Sequence, residues 1–282
     1  MTLPQPFDVA FMQRALLEVL LLSVPAGLLG SWIVLRRLAF FTHGVGSATF
    51  PGLVLAGPLG VPAPLAAMAA AVVYAFGLNR LIAKRGVPSD AATGLLLVGG
   101  LALGVLLASD VFESGAGVDR LLFGSLIGLS DLDLWLTAIA AVVVLALDGA
   151  CGRSWLVEGF DAGAGRRLGL PAALADNLLV LAIALSAVVA LAAVGALLVT
   201  AVFVIPAATV RLLAPSVSVL RAGSVALAAV EGVVALWIAY ELNVGPGPAL
   251  AVLGAGVFAA VATCVALSAR LGPALPLRSE RA

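Results

Sequence analysis

The stretch LAFFTHGVGSATFPGLVLAGPLGVPAPLAAMAAAVVYAFGLN, residues 38–79, contains no Asp, Glu, Lys or Arg. One transmembrane helix needs about 20 apolar residues, so this run is too long for a single crossing and fits two. Its interruption, Gly57-Pro58-Leu59-Gly60-Val61-Pro62, carries the residues that a hairpin between two spans requires. Residues 91–109, 134–147, 177–210 and 242–269 are free of charge in the same way, and the 177–210 run divides at a tight turn near Gly195.

Composition points to the same class. The 282 residues are 63% hydrophobic and 11% charged, with a mean hydropathy of +1.20, whereas soluble domains are about 25% charged. At roughly 20 residues per span, that apolar content allows about nine crossings. Soluble enzymes, nucleic-acid binders and disordered chains are excluded. The expected fold is all-α, a polytopic transmembrane helical bundle of about nine spans (eight to ten) in the lipid bilayer, with residues 1–282 forming a single transmembrane domain. The expected spans are 16–35, 40–56, 63–82, 91–108, 121–147, 178–194, 197–213, 222–240 and 249–267. The fifth contains Asp131 and Asp133, so 121–129 reads either as its beginning or as a short interfacial or re-entrant piece ahead of it. Glu18, one turn into the first span, reads as interfacial, and Pro206 is expected to kink its helix.

Fifteen basic residues balance fifteen acidic ones, so net charge is uninformative and placement matters. Lys and Arg are retained on the cytoplasmic side of short loops. Alternating spans put all but Arg14 and Arg120 on one side, which gives an external N-terminus and a cytoplasmic C-terminus with a tail over 270–282. The segment MTLPQPFDVAFMQR has no basic region ahead of its first apolar run, and reads as mature chain rather than a signal peptide. Cys151, expected in a loop, and Cys264, in a helix, are too few to form a structural metal site.

One connection is longer than a turn. A cytoplasmic loop is expected over about 149–175, carrying Arg153, Glu158, Asp161, Arg166 and Arg167. Within it, a short helix is expected to start at Asp161 as an N-capping acid and to be stopped by Gly169 and Pro171. A mixed charged and apolar face of this kind suits docking of a soluble partner or lying at the lipid interface.

These pieces, taken in order, resemble the integral-membrane permease subunits of the ATP-driven zinc, manganese and iron importers. The resemblance is carried by MQRALLEVLLLSVPAGLLGSWIVLRRLAFF (12–41), SATFPGLVLAG (47–57), LLFGSLIGLSDLDL (121–134), FDAGAGRRLGLP (160–171), VGALLVTAVFVIPAATVRLLA (194–214) and YELNVGPGPAL (240–250). It implies a multi-pass protein of the bacterial cytoplasmic (inner) membrane, acting as a homodimer. Its partners would be a cytoplasmic ATPase subunit and an extracytoplasmic metal-binding protein. The coupling helix would run from Asp161 to Gly169, with Arg166 and Arg167 touching the ATPase. No cofactor would be bound by this chain, the ion being cargo and ATP belonging to the partner subunit. With the pathway between protomers, the pairs Gly100/Gly104 and Gly124/Gly128 have the small-xxx-small spacing of close helix contacts.

In that family the helix after the Arg-Arg pair carries an Asp and, four residues later, a His that line the ion path. Here His43 and Ser47 occupy those positions and still share one helical face. Imidazole suits zinc, copper, iron and nickel, while a serine hydroxyl is a weak ligand, so a loosely binding transit site is expected. Glu231 lies mid-way along an apolar run, where an acid costs about 2.5–3.5 kcal/mol on insertion scales and usually faces a bundle interior or a water path. It is a second pathway candidate, the alternative being a structural pair with a neighbouring helix.

The expected function is therefore the permease of an ATP-binding-cassette importer for a divalent transition metal. The chain lacks a G-x-x-x-x-G-K-[ST] phosphate loop and is not expected to be an enzyme. A stand-alone secondary transporter of a small solute is the alternative, and would show an internal repeat. An intramembrane enzyme or metal-dependent protease would need a paired-His or Ser/His constellation within the spans, and the single histidine disfavours it.

Overall fold

The computed structural model describes residues 9–85, 89–111, 128–161, 172–195 and 198–271. They form α1 (Ala10–Arg36), α2 (Ala39–Ala48), α3 (Phe50–Leu59), α4 (Ala63–Arg85), α5 (Ser89–Leu106), α6 (Asp131–Phe160), α7 (Ala172–Val194), α8 (Val199–Arg211), α9 (Val217–Leu242) and α10 (Pro246–Leu271). Helices α2 and α3 together make one apolar span over Ala39–Leu59, so the described residues contain seven helical segments long and apolar enough to cross a membrane and two shorter apolar helices, Ala63–Leu78 and Val199–Arg211.

The opening stretch folds as its residues dictate. Pro51, in the first turn of α3, has no N–H with which to continue the hydrogen-bond ladder from α2, and the break falls at Thr49, whose hydroxyl donates to Gly46 O at 2.9 Å. Gly60 takes a left-handed conformation, φ 64°, and ends α3, while Val61 N–H donates to Ala56 O at 3.0 Å, so the chain turns into α4.

The centre of the bundle is α1, which packs along α6, α8 and α9. Two of its glycines permit this. A Cβ on Gly27 would overlap the backbone of Ser224 and Val225 in α9, and one on Gly30 would overlap the carbonyl of Phe203 in α8. Ser31 and Ser224 hydrogen bond across the same seam at 3.2 Å. At its inner end α1 stops at Arg37, φ 58°, and Leu38 N–H returns to Ile33 O at 2.8 Å.

Two sequence expectations change. The fifth span does not begin at 121 but at Asp131, because Ser130 caps the helix. Its hydroxyl accepts from Asp133 N–H at 3.3 Å while the Asp133 carboxylate accepts from Ser130 N–H at 2.9 Å. The two acids thus sit in the first turn, where the helix dipole favours them. Residues 121–127 lie outside the described ones. Second, α6 has 30 residues, about 45 Å at 1.5 Å per residue, against a hydrocarbon core of about 30 Å. It therefore carries Asp148, Cys151, Arg153 and Glu158 within a helix rather than in a loop. Pro206 lies inside α8.

The two ends of the bundle are chemically distinct. Arg211 donates to Val34 O at 2.9 Å, Arg36 pairs with Asp176 at 2.6 Å and Arg221 pairs with Asp148, which gathers the basic residues at one end. At the other, Arg14 pairs with Asp131 at 3.0 Å. This is the sidedness that the Lys and Arg distribution predicts.

Candidate ion path and coupling end

Helix α2 is enclosed by α4, α5, α7 and α8. His43, four residues from its start, is half-buried, and its Nδ1 lies 3.3 Å from the hydroxyl of Thr200 in the first turn of α8. Ser47 is 1% exposed, and its hydroxyl has no hydrogen-bond partner among the described residues. A serine in a helix ordinarily donates to the carbonyl four residues back, as Ser31 does to Gly27 O at 2.8 Å. Ser47 keeps its oxygen free, one turn from the imidazole. The neighbouring Gly44 leaves room for the buried Tyr74 hydroxyl, which lies beside Thr93 of α5. Imidazole and hydroxyl groups therefore line one region of α2, a set that can exchange ligands with a passing cation without enclosing it.

The structure does not bring Glu231 to this face. Its carboxylate is 3% exposed and points between helices, with Oε2 3.4 Å from where a Cβ on Gly254 of α10 would lie, beside Ile205 of α8. Neither oxygen has a hydrogen-bond partner among the described residues, so the expected structural pair with a neighbouring helix is not seen there. Glu18 corrects another expectation. It is fully buried rather than interfacial, and its Oε1 accepts from Thr137 of α6 at 2.7 Å. Among the described residues no group of three or more His, Cys, Asp or Glu side chains could hold a metal. One protomer's described residues thus offer isolated polar groups rather than a closed chelate.

At the end of the bundle bearing Asp131 and Asp133 an open cavity of about 490 Å³ is lined by Leu53, Pro62, Pro64, Leu132, Asp133 and Leu191. At the inner end Asp161 is the C-cap of α6, its N–H donating to Val157 O at 3.0 Å. Arg166, Arg167 and Gly169, and the short helix expected to hold them, lie outside the described residues. The expected use of Gly100 and Gly104 between protomers is replaced by one within the protomer. A Cβ on Gly100 would meet Ala48, and one on Gly104 would meet Phe50 and Pro51, so both let α5 approach α2 and α3. Gly124 lies outside the described residues.

Sequence reasoning singled out His43, Ser47 and Glu231 but missed Thr200, Tyr74 and Thr137. Hydroxyls in apolar helices usually bond within their own helix, as Thr42 does to Leu38 O and Thr209 to Ile205 O, and nothing in the sequence separates those from the ones that reach across.

Comparison with known proteins places the chain. The ABC 3 transport family matches residues 8–265. The manganese import system permease protein ScaB of Streptococcus gordonii is 29% identical over 251 residues, which are 89% of this chain and 90% of that protein. The manganese transport system membrane protein MntC of Listeria monocytogenes is 28% identical over 249 residues, 88% of this chain and 89% of that one. Among solved structures, PsaBC from Streptococcus pneumoniae in complex with Fab is similar with a TM-score of 0.82 and 27% identity, covering 91% of this chain and 92% of the matched one.

Proposed function

The chain belongs to the ABC 3 transport family and is the membrane permease of an ATP-driven importer, and we propose that its cargo is a divalent transition metal ion that passes along the His43–Ser47 face of α2. The observation that carries this reading is the enclosed α2, with an imidazole held against Thr200 and an unengaged hydroxyl one turn away. Manganese is the first cargo to test, because the relatives are named for it. Zinc and iron, both of which imidazole suits, are the other candidates.

The assembly we propose is a homodimer in a bacterial cytoplasmic membrane. A separate subunit hydrolyses ATP, and an extracytoplasmic metal-binding protein delivers the ion at the end bearing Asp131 and Asp133. Two protomers would bring two His43 side chains to the pathway, which offsets the single weak set in each. Glu231 would act as a second cation-attracting carboxylate, set apart from His43. The segment from Asp161 to Gly169, with Arg166 and Arg167, would seat the ATPase.

Uptake by the complex reconstituted in vesicles, measured for manganese, zinc and iron with ATP inside, tests the cargo. ATP-dependent accumulation of one of these supports the reading, while accumulation of none of them rejects it. Charge reversal of Arg166 and Arg167 should abolish co-purification of the ATPase.

A further inference from the structure

Between the last turn of α6 and the first turn of α7 lies the segment proposed to seat the ATPase, so these two turns are its stems. Both are tied to the bundle by direct contacts. Trp155, fully buried near the end of α6, donates its indole N–H to Ala175 O in the first turns of α7 at 2.7 Å. Arg36, the last residue of α1, pairs with Asp176 at 2.6 Å. The ring of Trp155 meets that of Trp32 in α1 edge-to-face, with centroids 5.6 Å apart and planes at 71°.

Trp32 joins these stems to α9. Its indole N–H donates to Oδ1 of Asp148 at 2.7 Å, while Oδ2 of the same carboxylate pairs with Arg221 in the first turns of α9. The guanidinium of Arg221 lies over the Trp32 ring, 5.9 Å from its centroid. The Asp148 side chain is 1% exposed, so removing either partner leaves a buried group uncompensated, which is costly. Beyond Arg221, α9 packs against α8, with Val210 seated on Gly223, and α8 presents Thr200 to His43. Contacts therefore run without a gap from both stems to the side chain facing the proposed ion path.

We propose that Asp148, Arg221 and Trp32 form the joint through which movement of the ATPase-seating segment reaches α8 and α9, making Asp148 and Arg221 positioning residues for coupled transport. This rests on the reading that the segment starting at Asp161 docks the ATPase. A chain of packed groups shows a route only, and the physical warrant for coupling is a perturbation that separates the two sites.

The test uses the full complex in vesicles with manganese and its binding protein, comparing Asp148→Asn, Arg221→Met, the exchange Asp148→Arg with Arg221→Asp, and Trp32→Phe. Asp148→Asn should keep the ATPase bound and its basal hydrolysis intact, while stimulation by the loaded binding protein falls by at least about fivefold, the lower end of ordinary site-to-site coupling. The exchange should restore part of that stimulation. If Asp148→Asn does not assemble, Trp32→Phe, which keeps an aromatic ring but loses the indole N–H together with part of the ring volume, should show the loss. Undiminished stimulation in an assembled Asp148→Asn or Trp32→Phe complex overturns the joint. Retention of the ATPase after charge reversal at Arg166 and Arg167 is a different failure, which removes the docking reading and the joint with it.

Discussion

Thr200 in the first turn of α8 faces His43 in α2 across 3.3 Å, a contact that positions the half-buried imidazole. Removing groups that orient a metal-binding imidazole typically costs about 10–100-fold in affinity or activity. Thr200→Val, close in shape and without the hydroxyl, should lower manganese uptake by about tenfold while leaving assembly intact. Thr200→Ser should retain uptake. Both are read as initial rates in vesicles.

The α1–α9 seam depends on Gly27, where an added Cβ would overlap the backbone of Ser224 and Val225. Gly27→Ala should destabilise the purified permease by about 1–3 kcal/mol, the usual cost of overpacking. Gly99→Ala, where a Cβ meets nothing within 4 Å, should leave the thermal midpoint within error of the parent.

Thr137 donates to Glu18 at 2.7 Å within the bundle. Thr137→Val leaves that oxygen without its partner and should cost about 1–3 kcal/mol, the desolvation penalty of an unsatisfied buried polar group. Thr137→Val combined with Glu18→Leu should recover most of the loss, because an apolar pair of similar shape has nothing left to satisfy. Thermal unfolding of the three variants in detergent checks the sign.

Glu231 is buried with both oxygens unpartnered among the described residues, a costly arrangement for a purely structural group. Glu231→Gln should therefore leave the unfolding midpoint unchanged or higher, and should slow manganese uptake. Normal uptake with raised stability would leave the acid no place in the pathway.

The crossings were legible because charge-free runs and turn residues are local features. Gly57 to Pro62 separated α3 from α4 in the sequence as they are separated in space. The beginning of α6 was not, since Asp131 and Asp133 look like acids inside a span until Ser130 is seen to cap the helix. Its far end was missed for a related reason. Asp148 ends an apolar run and reads as loop, but Trp32 and Arg221, distant in sequence, satisfy it inside the bundle. Glu18 reads as interfacial only while Thr137 is unknown. At the candidate site, His43 and Ser47 were visible from their spacing and Glu231 from its apolar surroundings. Thr200 was hidden because its partner is chosen by how α8 packs on α2, which no local pattern records.

The central claim is that the ion moves along the His43–Ser47 face of α2. The most direct measurement is the initial rate of ATP-dependent manganese uptake by the reconstituted complex carrying His43→Ala, with ATPase assembly verified in the same preparation. Uptake should fall by about tenfold or more, at least the cost of losing a group that only orients a metal ligand. Uptake at the parent rate by a fully assembled His43→Ala complex would contradict it.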